Sequence, residues 1–205
     1  MSFFSQLTEK PWLNSRSRAA ELTEGSVYSL PAPTVAVRLI MAVATVVFSL
    51  FIVAYGDRMA VDDWRPLSDP SLLWANTVIL ILSSAAWHWA TINARQGRMD
   101  GVKTGLLAGG GFAFAFLIGQ YLAWRQLEAA GYYASTNPAN AFFYLLTAVH
   151  AVHLLGGLVA WGRTVSKVWR GAEVARVRLS VELCAVYWHF LLVVWLVLFA
   201  LLLFT

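Results

Sequence analysis

The chain is short of charge and almost without cysteine. Only 13% of its 205 residues are Asp, Glu, Lys or Arg, against roughly 25% in soluble domains. That scarcity excludes an ordinary soluble globule and a disordered tail. The one cysteine, Cys184, sits inside an apolar run, which excludes a disulfide framework and a cysteine-based metal site. There is no nucleophile elbow, no pair of acid/base carboxylates in an apolar run, and no glycine-rich phosphate loop following a strand, so nothing supports hydrolytic catalysis or nucleotide binding. The net charge of +4 is carried by residues in the connectors, which does not describe a nucleic-acid-binding surface. What the chain does have is 59% hydrophobic and 14% aromatic residues. This is the composition of a polytopic membrane protein.

A bilayer core needs about 20 apolar residues per helix. Five runs qualify: 35–55, 72–92, 105–124, 141–161 and 179–204. They are continuously apolar and do not alternate, which favours helices over barrel strands. The fold expected is therefore all-α, a bundle of five transmembrane helices over residues 35–205. Residues 1–34, polar and with prolines at 11, 31 and 33, read as a retained tail.

The basic residues set the expected orientation. Of the 15 Lys and Arg, twelve fall on one side: Lys10, Arg16, Arg18, Arg38, Arg95, Arg98, Lys103, Arg163, Lys167, Arg170, Arg176 and Arg178. Arg58, Arg65 and Arg125 fall on the other, beside Asp57, Asp62, Asp63, Asp69 and Glu128. This places the N-terminus in the cytoplasm and the C-terminus in the periplasm of a bacterial inner membrane.

Within the runs, Gly105, Gly109, Gly110 and Gly111 form a small face, and Gly156 with Ala160 repeats the small-xxx-small spacing, a pattern for close helix packing. Asn76, Ser83, Trp87 and Thr91 share one stripe and should face protein. Trp74, Trp124 and Trp161 lie near run ends, as interfacial anchors do.

The ionisable groups are the sharper signal. His88, His150, His153 and His189 all lie inside runs, and Glu182 stands two turns from His189 on the same face. His150 with His189 meets the minimum for two haem ligands at one depth. It equally suits two histidines hydrogen-bonding across a bundle. His150 with His153 shares a face but has no evident third metal ligand. A b-type haem electron carrier and a small-solute transporter thus stand as alternatives. The absence of an internal repeat counts against the transporter.

The last two runs carry recognisable motifs. FFYLLTAVHAVHLLGGL (142–158) is similar to an aromatic run followed by T-G-x-H-x-x-H-x-x-x-G, and ELCAVYWHFLLVVW (182–195) resembles E-x₄-YWHF-x-D-VVW. LLWANTVILILSS (72–84) is similar to L-x-N-T-x-x-L-x-x-S-S. Over residues 36–204 the chain thereby resembles the haem-copper oxidase subunit III family in its five-helix form, with Tyr187, Trp188, Phe190 and Trp195 carrying the signature. Two positions depart from the pattern: Phe48 and Leu192 each stand where the family has a carboxylate.

The resemblance implies an accessory subunit of a respiratory terminal oxidase that reduces O₂ to water and translocates protons. It implies no haem, copper or catalytic residue in this chain, with haem and copper held by the partner subunit I, and with subunit II and membrane phospholipid as further partners. A related reading is a subunit-III-like partner of nitric oxide reductase. On either reading His150, His153, Glu182, His189 and Asn76 form a structural polar core, the histidines and Glu182 hydrogen-bonded between the fourth and fifth helices. Arg163, Lys167 and Arg178 would meet lipid headgroups.

Overall fold

The computed structural model describes residues 30–62, 64–65 and 71–203. The expected tail lies outside the described residues up to Ser29, as do Asp63, Asp69 and Phe204. Five helices carry the chain: α1 Ala32–Met59, α2 Leu72–Arg95, α3 Met99–Ala129, α4 Pro138–Trp169 and α5 Val174–Leu203. There is no strand among the described residues. Each helix takes in one of the five apolar runs, the fifth as far as Leu203. All five are long and apolar enough to cross a membrane. Even α2, with 24 residues, reaches about 36 Å, against a hydrocarbon core of roughly 30 Å.

Local chemistry sets the helix ends. The Asn137 side chain accepts the Ala139 N–H at 3.2 Å and Pro138 takes the first helical position of α4. At the other ends, α2, α3 and α4 stop in the same way. Gly97, Gly131 and Gly171 adopt φ values of 72°, 86° and 79°, a left-handed conformation that admits glycine without steric cost. In each case the residue after the glycine donates to a carbonyl five residues back, as Arg98 N–H does to Asn93 at 2.9 Å. The chain therefore reverses within residues 96–98 and 170–173, which makes α2–α3 and α4–α5 antiparallel hairpins.

The chain divides into two compact units, Met1–Ala36 and Val37–Thr205. In the first, the described residues open α1, where Thr34 N–H donates to the Pro31 carbonyl at 2.8 Å. In the second, α2, α3, α4 and α5 close a ring, each packed on its chain neighbour and α5 returning to α2. The remainder of α1 lies against α4, with Phe48 on His150 and His153 and Tyr55 on Phe142.

Glycines bring the ring together by seating larger side chains. A methyl added at Gly105 would stand 2.6 Å from Ala90 Cβ, one at Gly109 2.7 Å from Trp87 Nε1, and one at Gly157 2.7 Å from the Trp188 ring. Gly110 lies under Trp161 in the same manner. Gly105, Gly109 and Gly110 thus form a packing face on α3, but Gly111 is exposed with nothing within 4 Å, and the α4 spacing is off by one residue. Gly156 and Ala160 point outward, and Gly157 makes the contact. Two tryptophans expected as interfacial anchors serve the interior instead. Trp124 Nε1 donates to Thr147 Oγ1 at 3.0 Å, and Trp161 Nε1 donates to the Leu106 carbonyl at 2.8 Å. Their indole N–H groups reach acceptors across the bundle. Trp74 remains exposed.

This packing separates neighbouring glycines by function. Gly157→Ala should destabilise the chain by about 1–3 kcal/mol through overpacking, read as a lowered thermal midpoint in detergent. Gly156→Ala, with nothing within 4 Å of the added methyl, should leave the midpoint unchanged.

Candidate functional site

The polar groups converge on the seam between α2 and α5. Because the two helices run antiparallel, their side chains pair in reverse order. Trp74 meets Phe199 with ring centroids 4.9 Å apart, and Trp195 Nε1 donates to Thr77 Oγ1 at 3.0 Å. Ser84 bonds His189 Nδ1, Trp87 packs on Trp188 at 4.9 Å, and the His88 and His189 rings lie 6.0 Å apart. Arg95 Nε then donates to Glu182 Oε1 at 2.9 Å, and Arg178 Nε reaches the same oxygen at 3.2 Å. Seven residues are close to two helical turns. His88 and His189 therefore stand directly along the seam from Arg95 and Glu182, about 10 Å further in.

His150 occupies a different place. It is fully buried inside the ring, between Phe48, Phe116 and Trp195 at centroid distances of 6.3, 5.9 and 5.3 Å. Neither of its ring nitrogens has a hydrogen-bond partner among the described residues. His153, next to it against Phe48, donates from Nδ1 to the Val149 carbonyl of its own helix at 2.8 Å. The expected single hydrogen-bonded cluster of His150, His153, Glu182 and His189 is thus replaced by three separate places. The cause is helical phase. His189 and Trp195 are six residues apart, which sets them about 120° apart around α5. Trp195 meets His150 with its ring, while His189 and Glu182 meet Ser84 and Arg95 of α2. The same phase keeps His150 and His189 from meeting as a ligand pair.

Asn76 is buried on the face of α2 toward α3 and donates to Gln120 Oε1 at 3.5 Å. Ser83 on the same stripe donates to the Gly109 carbonyl at 2.8 Å, and Thr91 satisfies itself on the Trp87 carbonyl at 3.1 Å. The motif residues of α5 are all packing residues. Tyr187 lies over Gly157 and its hydroxyl donates to the His153 carbonyl at 3.1 Å, Trp188 packs on Trp87, and Phe190 neighbours Tyr187 at 6.4 Å. Of the two departures from the motif pattern, Leu192 is half-buried. Phe48 is buried against two histidine rings, where a carboxylate would have met both.

The helix order gathers Arg95, Arg98, Lys103, Arg163, Lys167, Arg170, Arg176 and Arg178 at one end of the ring. Arg163, Lys167 and Arg178 are all exposed there, and Arg178 also pairs with Glu182. Reading the sequence missed Arg95, Thr77 and Ser84 as partners. A signal was present in the matched seven-residue spacings His88–Arg95 and Glu182–His189, which let two antiparallel helices align both pairs at once.

Chemically, the seam holds and orients. Ser84 and His189 form a hydroxyl–imidazole pair, and Glu182 is held by two guanidinium groups. Among the described residues no three His, Cys, Asp or Glu side chains stand together as a metal site. Trp195 is the side chain on which both places depend. Trp195→Phe should lower stability by about 0.5–1.5 kcal/mol, the range for one lost hydrogen bond, since the Thr77 hydroxyl keeps its bond to the Leu73 carbonyl; the measure is the thermal midpoint in detergent. Trp74→Phe, at an exposed position, should not.

Comparison with known proteins gives this arrangement its setting. Residues 36–205 match the family model of cytochrome c oxidase subunit III. Cytochrome c oxidase subunit 3 of Synechocystis sp. is 29% identical over 173 residues, 80% of this chain and 72% of that protein. The subunit 3 of Thermostichus vulcanus is 30% identical over 131 residues, and the matched region spans 62% of its length. A haem-copper oxidase subunit I+III of Aeropyrum pernix is 24% identical over 214 residues, 97% of this chain and 26% of that longer protein. With five helices long and apolar enough to cross a membrane, and the family match running from residue 36 in α1 to residue 205, this chain is a multi-pass membrane protein that belongs to the cytochrome c oxidase subunit III family.

Proposed function

We propose that this chain is the accessory subunit III of a respiratory haem-copper terminal oxidase, one that reduces O₂ to water and translocates protons. It supports the catalytic subunit through packing and bound lipid and holds no haem or copper of its own. The observation that carries this reading is the subunit I+III relative, whose name assigns both subunits to one polypeptide and which aligns with 97% of this chain. That relative supports a one-to-one association with subunit I, with subunit II as a further partner. Consistent with an accessory role, the polar groups along the α2–α5 seam are spent on one another. Ser84 takes His189, Thr77 takes Trp195, and Glu182 takes two arginines.

In this reading the N-terminus is cytoplasmic, the C-terminus periplasmic, and the membrane the bacterial inner membrane. The basic end then faces the cytoplasm, where Arg163 and Lys167 meet anionic headgroups. Asn76, His150, His153, Glu182 and His189 are structural and hold the helices in register.

The test is to purify the tagged chain from its native membrane in mild detergent, record the optical spectrum and identify the partners by mass spectrometry. Co-elution with a large haem-bearing subunit that consumes O₂ is the expected result. A haem-bearing partner that reduces nitric oxide instead would reassign the chain to a reductase, and a haem band from the chain alone would overturn the accessory role. In the same complex, His150→Ala should lower assembly yield and thermal midpoint without loss of the Soret band.

A further inference from the structure

At the basic end of the ring the cations are not all alike. Arg95 and Arg178 come from different helices, yet both donate from Nε to one carboxylate oxygen, Glu182 Oε1, at 2.9 and 3.2 Å. One carboxylate thus holds two guanidinium groups, and the trio keeps a positive charge in excess. The Nη groups of both arginines have no hydrogen bond among the described residues, and the two side chains remain 61% and 51% exposed. Arg98, Lys103 and Arg176 on the neighbouring turns add positive charge, and the further acids at this end among the described residues are Asp100 and Glu173. The level of the trio matters as much as its charge. Arg95 is the last residue of α2, and the chain reverses at Gly97 just beyond it. One turn further in, Ile92 and Val186 are exposed on the same two helices, an apolar surface of the kind acyl chains cover. The two guanidinium groups therefore stand where an apolar span gives way to polar connectors, the level of lipid phosphates.

We infer that Arg95 and Arg178, oriented by Glu182, form a clamp for the phosphate of an anionic phospholipid whose acyl chains lie over Ile92 and Val186. A free arginine loses side-chain entropy when it fixes a ligand. These two are already held, each through Nε, and a planar guanidinium matches the paired oxygens of a phosphate. Glu182 repels an anion by its own charge, but two cations outweigh it. The excess charge favours a headgroup with no cation of its own over a choline or ethanolamine headgroup, and the apolar surface one turn inward favours a lipid over a soluble phosphate. This inference rests on the reading above that the basic end meets anionic headgroups, and it gives that reading a defined site, separate from Arg163 and Lys167 on α4.

The test uses the full chain in its native membrane and a phosphatidylglycerol carrying a photoactivatable group in its headgroup, with adducts mapped by mass spectrometry. The unaltered chain should be labelled within residues 92–98 and 174–182, and a phosphatidylcholine with the same photoactivatable group should label these segments at least fivefold less. Replacing both arginines, Arg95→Lys with Arg178→Lys, keeps the charge and the ion pairs but removes the fork. It should cut phosphatidylglycerol labelling there at least fivefold and leave labelling around Arg163 and Lys167 unchanged. Glu182→Gln separates orientation from charge. It makes the site more positive, so attraction by charge alone would raise the labelling, whereas loss of an oriented clamp should lower it at least threefold.

Undiminished labelling in the double lysine variant, or a rise in Glu182→Gln, overturns the clamp and leaves the wider headgroup reading standing. Equal labelling by phosphatidylcholine overturns the preference for an anionic lipid. Loss of the labelling when soluble glycerol phosphate is added overturns the lipid as the source of the phosphate. Absence of labelling both here and around Arg163 and Lys167 overturns the headgroup reading as well. If the variants do not accumulate, the two lipids and the glycerol phosphate competition on the unaltered chain decide.

Discussion

The architecture depends on how closely α2 and α3 approach at Gly105 and Gly109. In lipid, helices gain little from hiding apolar surface from one another, so contact distance and interhelical hydrogen bonds carry the association. With Gly105 against the Ala90 backbone and Gly109 under the Trp87 ring, Ser83 comes within reach of the Gly109 carbonyl at 2.8 Å. Trp87, held from one side by α3, presents its other side to Trp188 of α5. That contact sets the register of α5 on α2. From the register follow the pairing of Ser84 with His189, of Thr77 with Trp195 and of Arg95 with Glu182. A side chain at Gly109 would push α2 and α3 apart and disturb the whole sequence of contacts along the seam.

Tryptophan serves this bundle because it combines a large apolar body with one donor. Trp195 buries its ring, Trp124 and Trp161 are half-buried, and each places the indole N–H on an acceptor of another helix. Trp87 and Trp188 do the reverse: they pack on each other, and their indole nitrogens have no acceptor among the described residues. His150 belongs with this second group, enclosed by aromatic rings and without a bonding partner for either nitrogen. Such unmatched polar atoms are uncommon in protein interiors. Here Trp87, Trp188 and His150 mark places where packing has taken precedence over hydrogen bonding, and Trp64 Nε1, Asn76 Oδ1, Gln120 Nε2 and Asn140 Oδ1 are likewise unmatched among the described residues.

The apolar runs were legible because hydrocarbon imposes one solution on the backbone, a continuous helix, and that solution has a length. The family motif was legible because its residues are packing residues fixed in spacing along α4 and α5. What could not be read was phase between helices. Gly156 and Gly157 are equivalent in a spacing pattern, yet only Gly157 meets Trp188. His150 and His189 share a depth, yet Trp195 turns one inward and the other toward α2. Trp124 and Trp161 sit near the run ends as anchors do, but each has an acceptor within reach on a neighbouring helix. Periodicity along one helix carries no information about the rotation of its neighbour, and these residues differ only in that rotation.

The order of the seam also has a consequence in time. Ser84 and His189 are 105 residues apart in the chain, and Thr77 and Trp195 are 118. At ribosomal speeds of about 5–20 residues per second, α2 waits roughly 5–20 s for the helix that completes it. The α2–α3 hairpin forms early, since its turn takes only residues 96–98. During that interval its open side displays a serine, a threonine, a histidine and an arginine with no helix opposite them. The nascent protein thus carries a signal of its own incompleteness within the membrane. The arrival of α5 meets the serine, the threonine and the arginine.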